Sequence, residues 1–235
     1  MTTRKRISVI AILMSLAAGT LSPAAEAAAS RYITISAQGS VKVVPDAVRI
    51  NSTATAVAAT SKEALAATSK TASAVRTALK NSKIDSKDIA TQSVTVYPEY
   101  KYNTDGSSTL VGYRGSQSFT ITVRAADTAG AVVDSLVAAG GDNLQINGAT
   151  PFILDSTNSL EAARAAAVKS AKAKATSYAK LMGVKLGKIN YLIENSAPTN
   201  YTPVMATAKA ESDATVIDLG QQDVTISVTV QWSLL

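Results

Sequence analysis

Phe119-Thr120-Ile121-Thr122-Val123 and Val224-Thr225-Ile226-Ser227-Val228 decide how this chain is read. Each alternates apolar and hydroxyl-bearing residues with a period of two. That pattern marks a strand with one face in a core and the other in water. The second run continues through Val230 and Trp232, so the last strand spans residues 223–234. Working back from each run gives the same order of elements. A strand at 91–102 precedes the first, across the turn signal Asn103-Thr104-Asp105-Gly106. A strand at 187–194 precedes the second, across a long polar stretch.

A helix stands before each strand pair. Thr60-x-x-Glu63 reads as a capping box, and Leu65, Ala72, Val75 and Leu79 follow at helical spacing to about Asn81. Asn158-x-x-Glu161 reads as the cap of a longer helix running to about Met182, with Gly183 as its stop. Leu160, Ala163, Ala167, Ala171, Tyr178 and Met182 lie near one face of it. Before each helix comes another strand region. One covers 32–57, with Val48, Ile50, Ala54 and Ala56 on one face and interruptions at Gly39 and Val44-Pro45-Asp46. The other covers 144–154, with a kink at Gly148 or Pro151. Between the two sets, Asp127 reads as the cap of a short helix carrying Val132, Val133 and Leu136 and ending at Gly140-Gly141.

The expected fold is therefore α+β: two β-α-β-β repeats with antiparallel sheet and helices packed on one face, joined by a short helix. The first unit covers 28–125, the connecting helix 126–142, and the second unit 143–235 with a long loop at 195–222. A loop of that length in a compact domain points to a role.

Residues 1–27 read as a cleaved signal peptide. Arg4, Lys5 and Arg6 form a basic start, an apolar run follows from Ile7 to Ala18, and Ala25-Glu26-Ala27 is an A-x-A site. The apolar run is well short of the roughly 20 residues that span a bilayer. No later segment is long and apolar enough to span, so no transmembrane span is expected after cleavage. The expected location is extracytoplasmic: periplasmic, secreted or at the cell surface. Three cations and one carboxylate leave with the signal, so the net charge falls from +6 to +4. The remaining cations are scattered, without the clustering that nucleic-acid binding needs.

The chain has no Cys and no His. Disulfides, thiol catalysis and histidine-dependent machinery are thereby removed, and no cofactor or metal-ligand set is signalled. Two Phe and one Trp in 235 residues make for a thin core. At roughly 25 cal/mol per Å² of buried apolar surface, small side chains contribute little each. Oligomerisation is one way to enlarge such a core.

Chemistry-bearing patterns are sparse. Ser177-Tyr178-Ala179-Lys180 fits S-x-x-K, in which the lysine takes the serine proton, but the companion S-D-N and K-T-G motifs are missing. An alanine-rich helix meets the pattern by chance. Asp46, Glu99, Asp155 and Glu161 are spread through strands, turns and caps and do not suggest a hydrolytic carboxylate pair. Lys169, Lys172, Lys174 and Lys180 lie on the long helix with few acidic partners. They read as a solvated face, or as a contact for an anionic envelope component. Tyr97, Tyr100, Tyr102 and Tyr113 cluster around the first hairpin, and Tyr201 lies in the long loop. Tyrosine couples large area to a polar tip, which suits cross-strand packing and interfaces alike.

Three segments together resemble the SIMPL-domain family. They are Ser36-Ala-Gln-Gly39-Ser-Val-Lys-Val-Val-Pro45-Asp46-Ala47, then Thr91-Gln-Ser-Val-Thr-Val-Tyr97-Pro98-Glu-Tyr100 with Gly112-Tyr113-Arg114, then Ala175-Thr-Ser-Tyr178-Ala179-Lys-Leu-Met-Gly183-Val-Lys-Leu-Gly187. The resemblance spans nearly the whole chain after the signal. It implies an exported, non-enzymatic protein, often oligomeric and sometimes linked to envelope or oxidative stress. It supplies no catalytic residues. The expected role is a self-assembling homo-oligomeric scaffold or interaction protein of the envelope. The alternative is a binding module for a small molecule or cell-wall polymer, seated in a cleft between the two repeats.

Overall fold

A computed structural model describes residues 31–195 and 214–235. The signal segment, Tyr201 and most of the 195–222 loop lie outside the described residues. Within them the chain is α+β, with three α-helices and two antiparallel sheets.

The 32–57 strand region is two strands, not one. β1 (Tyr32–Val43) and β2 (Ala47–Ala58) are separated at Val44-Pro45-Asp46. They are followed by α1 (Ser61–Asn81), β3 (Ile89–Tyr102), β4 (Ser108–Val123) and α2 (Ala129–Gly140). Then come β5 (Leu144–Phe152), α3 (Thr157–Leu181), β6 (Leu186–Asn195) and β7 (Gln222–Leu234). One sheet has the order β3-β4-β2-β5, the other β1-β7-β6.

This pairing departs from two consecutive β-α-β-β units. β5, expected to open the second unit, pairs with β2, and β1 takes the place beside β7. The reason lies in length and punctuation. β1 and β7 have 12 and 13 residues and pair along their whole length, from Tyr32↔Ser233 to Val43↔Gln222. β5 has nine residues, and its register slips opposite Asn51/Ser52. Pro45 has no N–H for a ladder, so the chain leaves one sheet there and enters the other. Asp46 then fixes the crossing. Its carboxylate accepts from Leu154 N–H at 2.8 Å, and its carbonyl accepts from Ala126 N–H at 3.3 Å.

Each sheet carries helices on one face. α1 and α2 cover the four-stranded sheet over Val48, Ile50, Leu79, Phe119, Ile121 and Leu136. α3 covers the three-stranded sheet over Val224, Ile226, Val228, Val230 and Trp232. The period-two pattern of β7 is thus borne out residue by residue.

The caps are mixed. Thr60 and Glu63 form the reciprocal capping box expected at α1. α3 begins at Thr157 without the expected Asn158/Glu161 box; Asp155 accepts from the Thr157 N–H at 2.9 Å instead. Asp127 sits inside a 3-10 turn, and no side chain caps α2. Here the chain enters the helix through that turn, so no extended capping residue is presented.

The buried face of α3 is a stripe of alanines: Ala163, Ala167, Ala171, Ala175 and Ala179. Tyr178 and Met182, expected near that face, are exposed. Methyl-sized side chains let the helix backbone settle onto the sheet. At Gly39 of β1 it comes so close that a Cβ would overlap the backbone of Ala163, Ala166 and Ala167. Gly115 of β4 plays the matching part under α1, against Ala64 O and the Thr68 hydroxyl.

Gly39→Ala should therefore cost at least the usual 1–3 kcal/mol of overpacking, because the obstruction is backbone and has no rotamer to change. Denaturant melts of the two proteins check it; equal midpoints would refute the close approach. A second expectation concerns Asp88, whose carboxylate takes both Arg124 Nε and Nη2 at 2.7 Å. The side-chain bond to Arg124 holds its pKa below the ordinary value. A depressed carboxylate stabilises the fold above its unfolded pKa of about 3.9, and that contribution is lost as pH falls through the folded value. Asp88→Asn should flatten the fall in melting temperature between about pH 4 and pH 2, read from thermal melts across that range.

Candidate functional site

The β3–β4 hairpin runs past the rest of its sheet. β2 pairs with β4 from Val48↔Val123 only as far as Ala58↔Tyr113. Beyond that point Glu99–Tyr102 and Ser108–Gly112 pair with each other alone. The result is a two-stranded arm. Its tip is the expected turn: Asn103 and Ser107 close it, Gly106 takes φ 83°, and Asp105 accepts from the Ser107 N–H at 2.9 Å. A free two-stranded ribbon is marginal in water, so such an arm calls for further contacts.

The described tyrosines divide between the two faces of this hairpin. Side chains alternate along a strand, and cross-strand partners share a face. Tyr100 and Tyr102 follow Val94 and Val96 on the helix side, and Tyr113 joins them opposite Pro98. Tyr97 points the other way, opposite Arg114. Tyr102 is 81% exposed, Tyr97 and Tyr100 are each 47% exposed, and Tyr113 is half-buried. Leu110 and Val111 add exposed apolar surface on the returning strand. On the Tyr97 face, Arg114 Nη2 donates to Glu99 Oε1. That bond is the first cause of a raised Arg114 pKa. It pins the two strands at the root of the arm.

A second exposed apolar row lies on β6, an edge of the other sheet. Ile189, Tyr191, Leu192 and Ile193 are all exposed there. Edge strands of natural sheets are usually blunted by charge, proline or cover. The sequence reading missed this row: it assigned Ile189, Tyr191 and Ile193 to a strand without recognising an open edge. The signal was present, since apolar residues fall at both parities over 189–193.

The remaining candidates serve structure. Asp46 anchors the crossing, Glu99 pairs with Arg114, Asp155 turns the chain into α3, and Glu161 is exposed on that helix. No hydrogen bond joins Ser177 to Lys180 among the described residues, and both are exposed. Lys169, Lys172, Lys174 and Lys180 are exposed on α3, away from its alanine stripe. Lys174 Nζ reaches Ser36 O at 3.5 Å. Among the described residues no cluster of three or more acidic side chains is placed to hold a metal ion. No described helix is long and apolar enough to cross a membrane.

A family model, SIMPL, described as a protein of unknown function (DUF541), matches residues 33–232. The chain belongs to the SIMPL family. Its relatives agree with that placement. The 26 kDa periplasmic immunogenic protein of Brucella melitensis is 27% identical over 215 residues, covering 86% of this chain and 84% of the relative. The same-named protein of Brucella abortus gives the same values. An uncharacterized protein, YggE, of Edwardsiella ictaluri is 27% identical over 229 residues, covering 92% of each. The SIMPL match takes in both sheets and all three helices, so the shared unit is the whole described fold. No enzymatic activity comes with the family description.

Proposed function

We propose that this SIMPL-family protein is an exported, non-enzymatic scaffold of the cell envelope that assembles with further copies of itself through the β3–β4 arm. The observation that carries this is the arm itself. Tyr100, Tyr102 and Leu110 stand exposed on a ribbon with no third strand beside it. Aromatic residues on such a surface are the side chains that interfaces favour. The open β6 edge offers a second contact, so each copy has two adhesive elements. The periplasmic name of the Brucella relatives supports an extracytoplasmic setting. The exposed lysines of α3 suit contact with an anionic envelope component, an attraction that salt would screen.

Light scattering on a sizing column, over a range of protein concentrations, tests the reading. The expected result is a discrete oligomer. Tyr100→Ser combined with Leu110→Ser should shift it toward monomer while the melting profile of the chain persists. A monomer at every concentration, or an oligomer indifferent to the double substitution, would overturn the arm as its interface.

A further inference from the structure

The C-termini of α1 and α3 are built alike. In α3, the Gly183 N–H bonds to Lys180 O and the Val184 N–H to Ala179 O. In α1, the Lys83 N–H bonds to Lys80 O and the Ile84 N–H to Leu79 O. This paired closure needs a left-handed residue just past the cap, and glycine takes that conformation without steric cost. Gly183 supplies it in α3 with φ 69°. In α1 the position is held by Lys83 with φ 60°, the one positive-φ residue other than glycine among those described. Local strain of this kind is found where the surroundings or a function hold it in place.

Lys83 lines a groove of about 580 Å³ beside the start of β3. Arg76 and Lys80 line it with the same charge, and Ile84 and Ile89 give it apolar walls. The Thr91 hydroxyl, also in the lining, accepts from Arg76 Nη2 at 3.2 Å, and the Arg76 guanidinium lies over the Phe119 ring. Arg76 is thereby oriented by neutral partners. None of Arg76, Lys80 and Lys83 has an ion pair among the described residues. The carboxylate in the lining, Asp85, is paired with Lys87 at 3.1 Å.

A structural duty for the two lysines would be to satisfy the last carbonyls of α1. Those of Ala78, Leu79 and Lys80 already accept backbone N–H groups from Ser82, Ile84 and Lys83. The groove has a size typical of small-molecule sites. It lies within one helix-and-sheet layer, not between two repeats where a cleft was expected.

We propose that this groove binds a small amphipathic anion, an anionic head group carrying a short apolar tail, and that Lys83 stands in glycine's place to bring a charge to that head. The site is independent of self-assembly through the arm, which lies at the opposite end of β3.

Calorimetric titration of the purified protein at low ionic strength tests it, with four probes: decanoate, decyl phosphate, decanol and inorganic phosphate. Decanoate, decyl phosphate or both should saturate one site per chain. The preferred amphiphile should bind at least about tenfold more tightly than decanol or inorganic phosphate, each of which lacks half the recognised chemistry. The decisive variant is Lys83→Gly. It relieves the left-handed strain and should raise the melting temperature by about 2–4 °C, while weakening the preferred amphiphile about tenfold. Such a variant cannot owe its weaker binding to unfolding. An unchanged affinity in Lys83→Gly would overturn the proposal. So would the absence of binding by both amphiphiles, inorganic phosphate binding as tightly as they do, or decanol matching them.

Discussion

The long antiparallel ladder between β1 and β7 is the constraint on which the rest of the architecture depends. It joins the first and last strands of the described chain over twelve paired residues. With β1 committed there, the chain must cross at Val44-Pro45-Asp46 to begin the second sheet. With β7 at the centre of its sheet, β6 is left as an open edge. β5 then finds its partner on the free side of β2. The two sheets are thereby stitched to each other by covalent crossings, and Asp46 ties the bend to the connections that follow β4 and β5.

Small side chains set how this frame is packed. Alanine along α3 and glycine at positions 39 and 115 give close backbone approach at the cost of buried area per residue. The large apolar side chains left over are conspicuous on the outside. Tyr100, Tyr102 and Leu110 stand on the arm, Ile189, Leu192 and Ile193 on β6, and Leu181 and Met182 at the end of α3. A protein with a lean interior and apolar edges is suited to completing its packing against neighbours, which is the physical content of the scaffold reading.

Much of this was legible in the sequence because local rules determine it. The alternation at 119–123 and 224–232, the Thr60/Glu63 box, the Gly106 turn and the Gly183 stop each depend on neighbours a few residues away. Strand partnership does not. β1 and β5 both read as opening strands, and nothing local says that the first belongs with β7 and the second with β2. Nor does periodicity separate the alanine stripe of α3 from Tyr178 and Met182, since a 25-residue helix drifts across any assigned face. Tyr97 was grouped with its neighbours because proximity in sequence hides the strand's alternation. The groove at the end of α1 was only half legible: Arg76, Lys80 and Lys83 recur at i, i+4 and i+7, a local spacing, but Ile89 and Thr91 of β3, which complete its lining, are brought alongside by the fold.

The central position of β7 also has a temporal side. A chain that emerges amino-terminus first, from a ribosome or through a translocation pore, delivers β2, α1, β3, β4, α2 and β5 as a set that can pair at once. The other sheet has no such option. β1, the first strand out, and β6 both hydrogen-bond only to β7, so neither has a ladder until residues 222–234 arrive. The alanine face of α3 meanwhile has only the unpaired β1, with its Gly39, to settle on. Non-local pairing of this kind is slow to form. The three-stranded sheet and its helix are thus held open, and compatible with threading, until β7 is delivered.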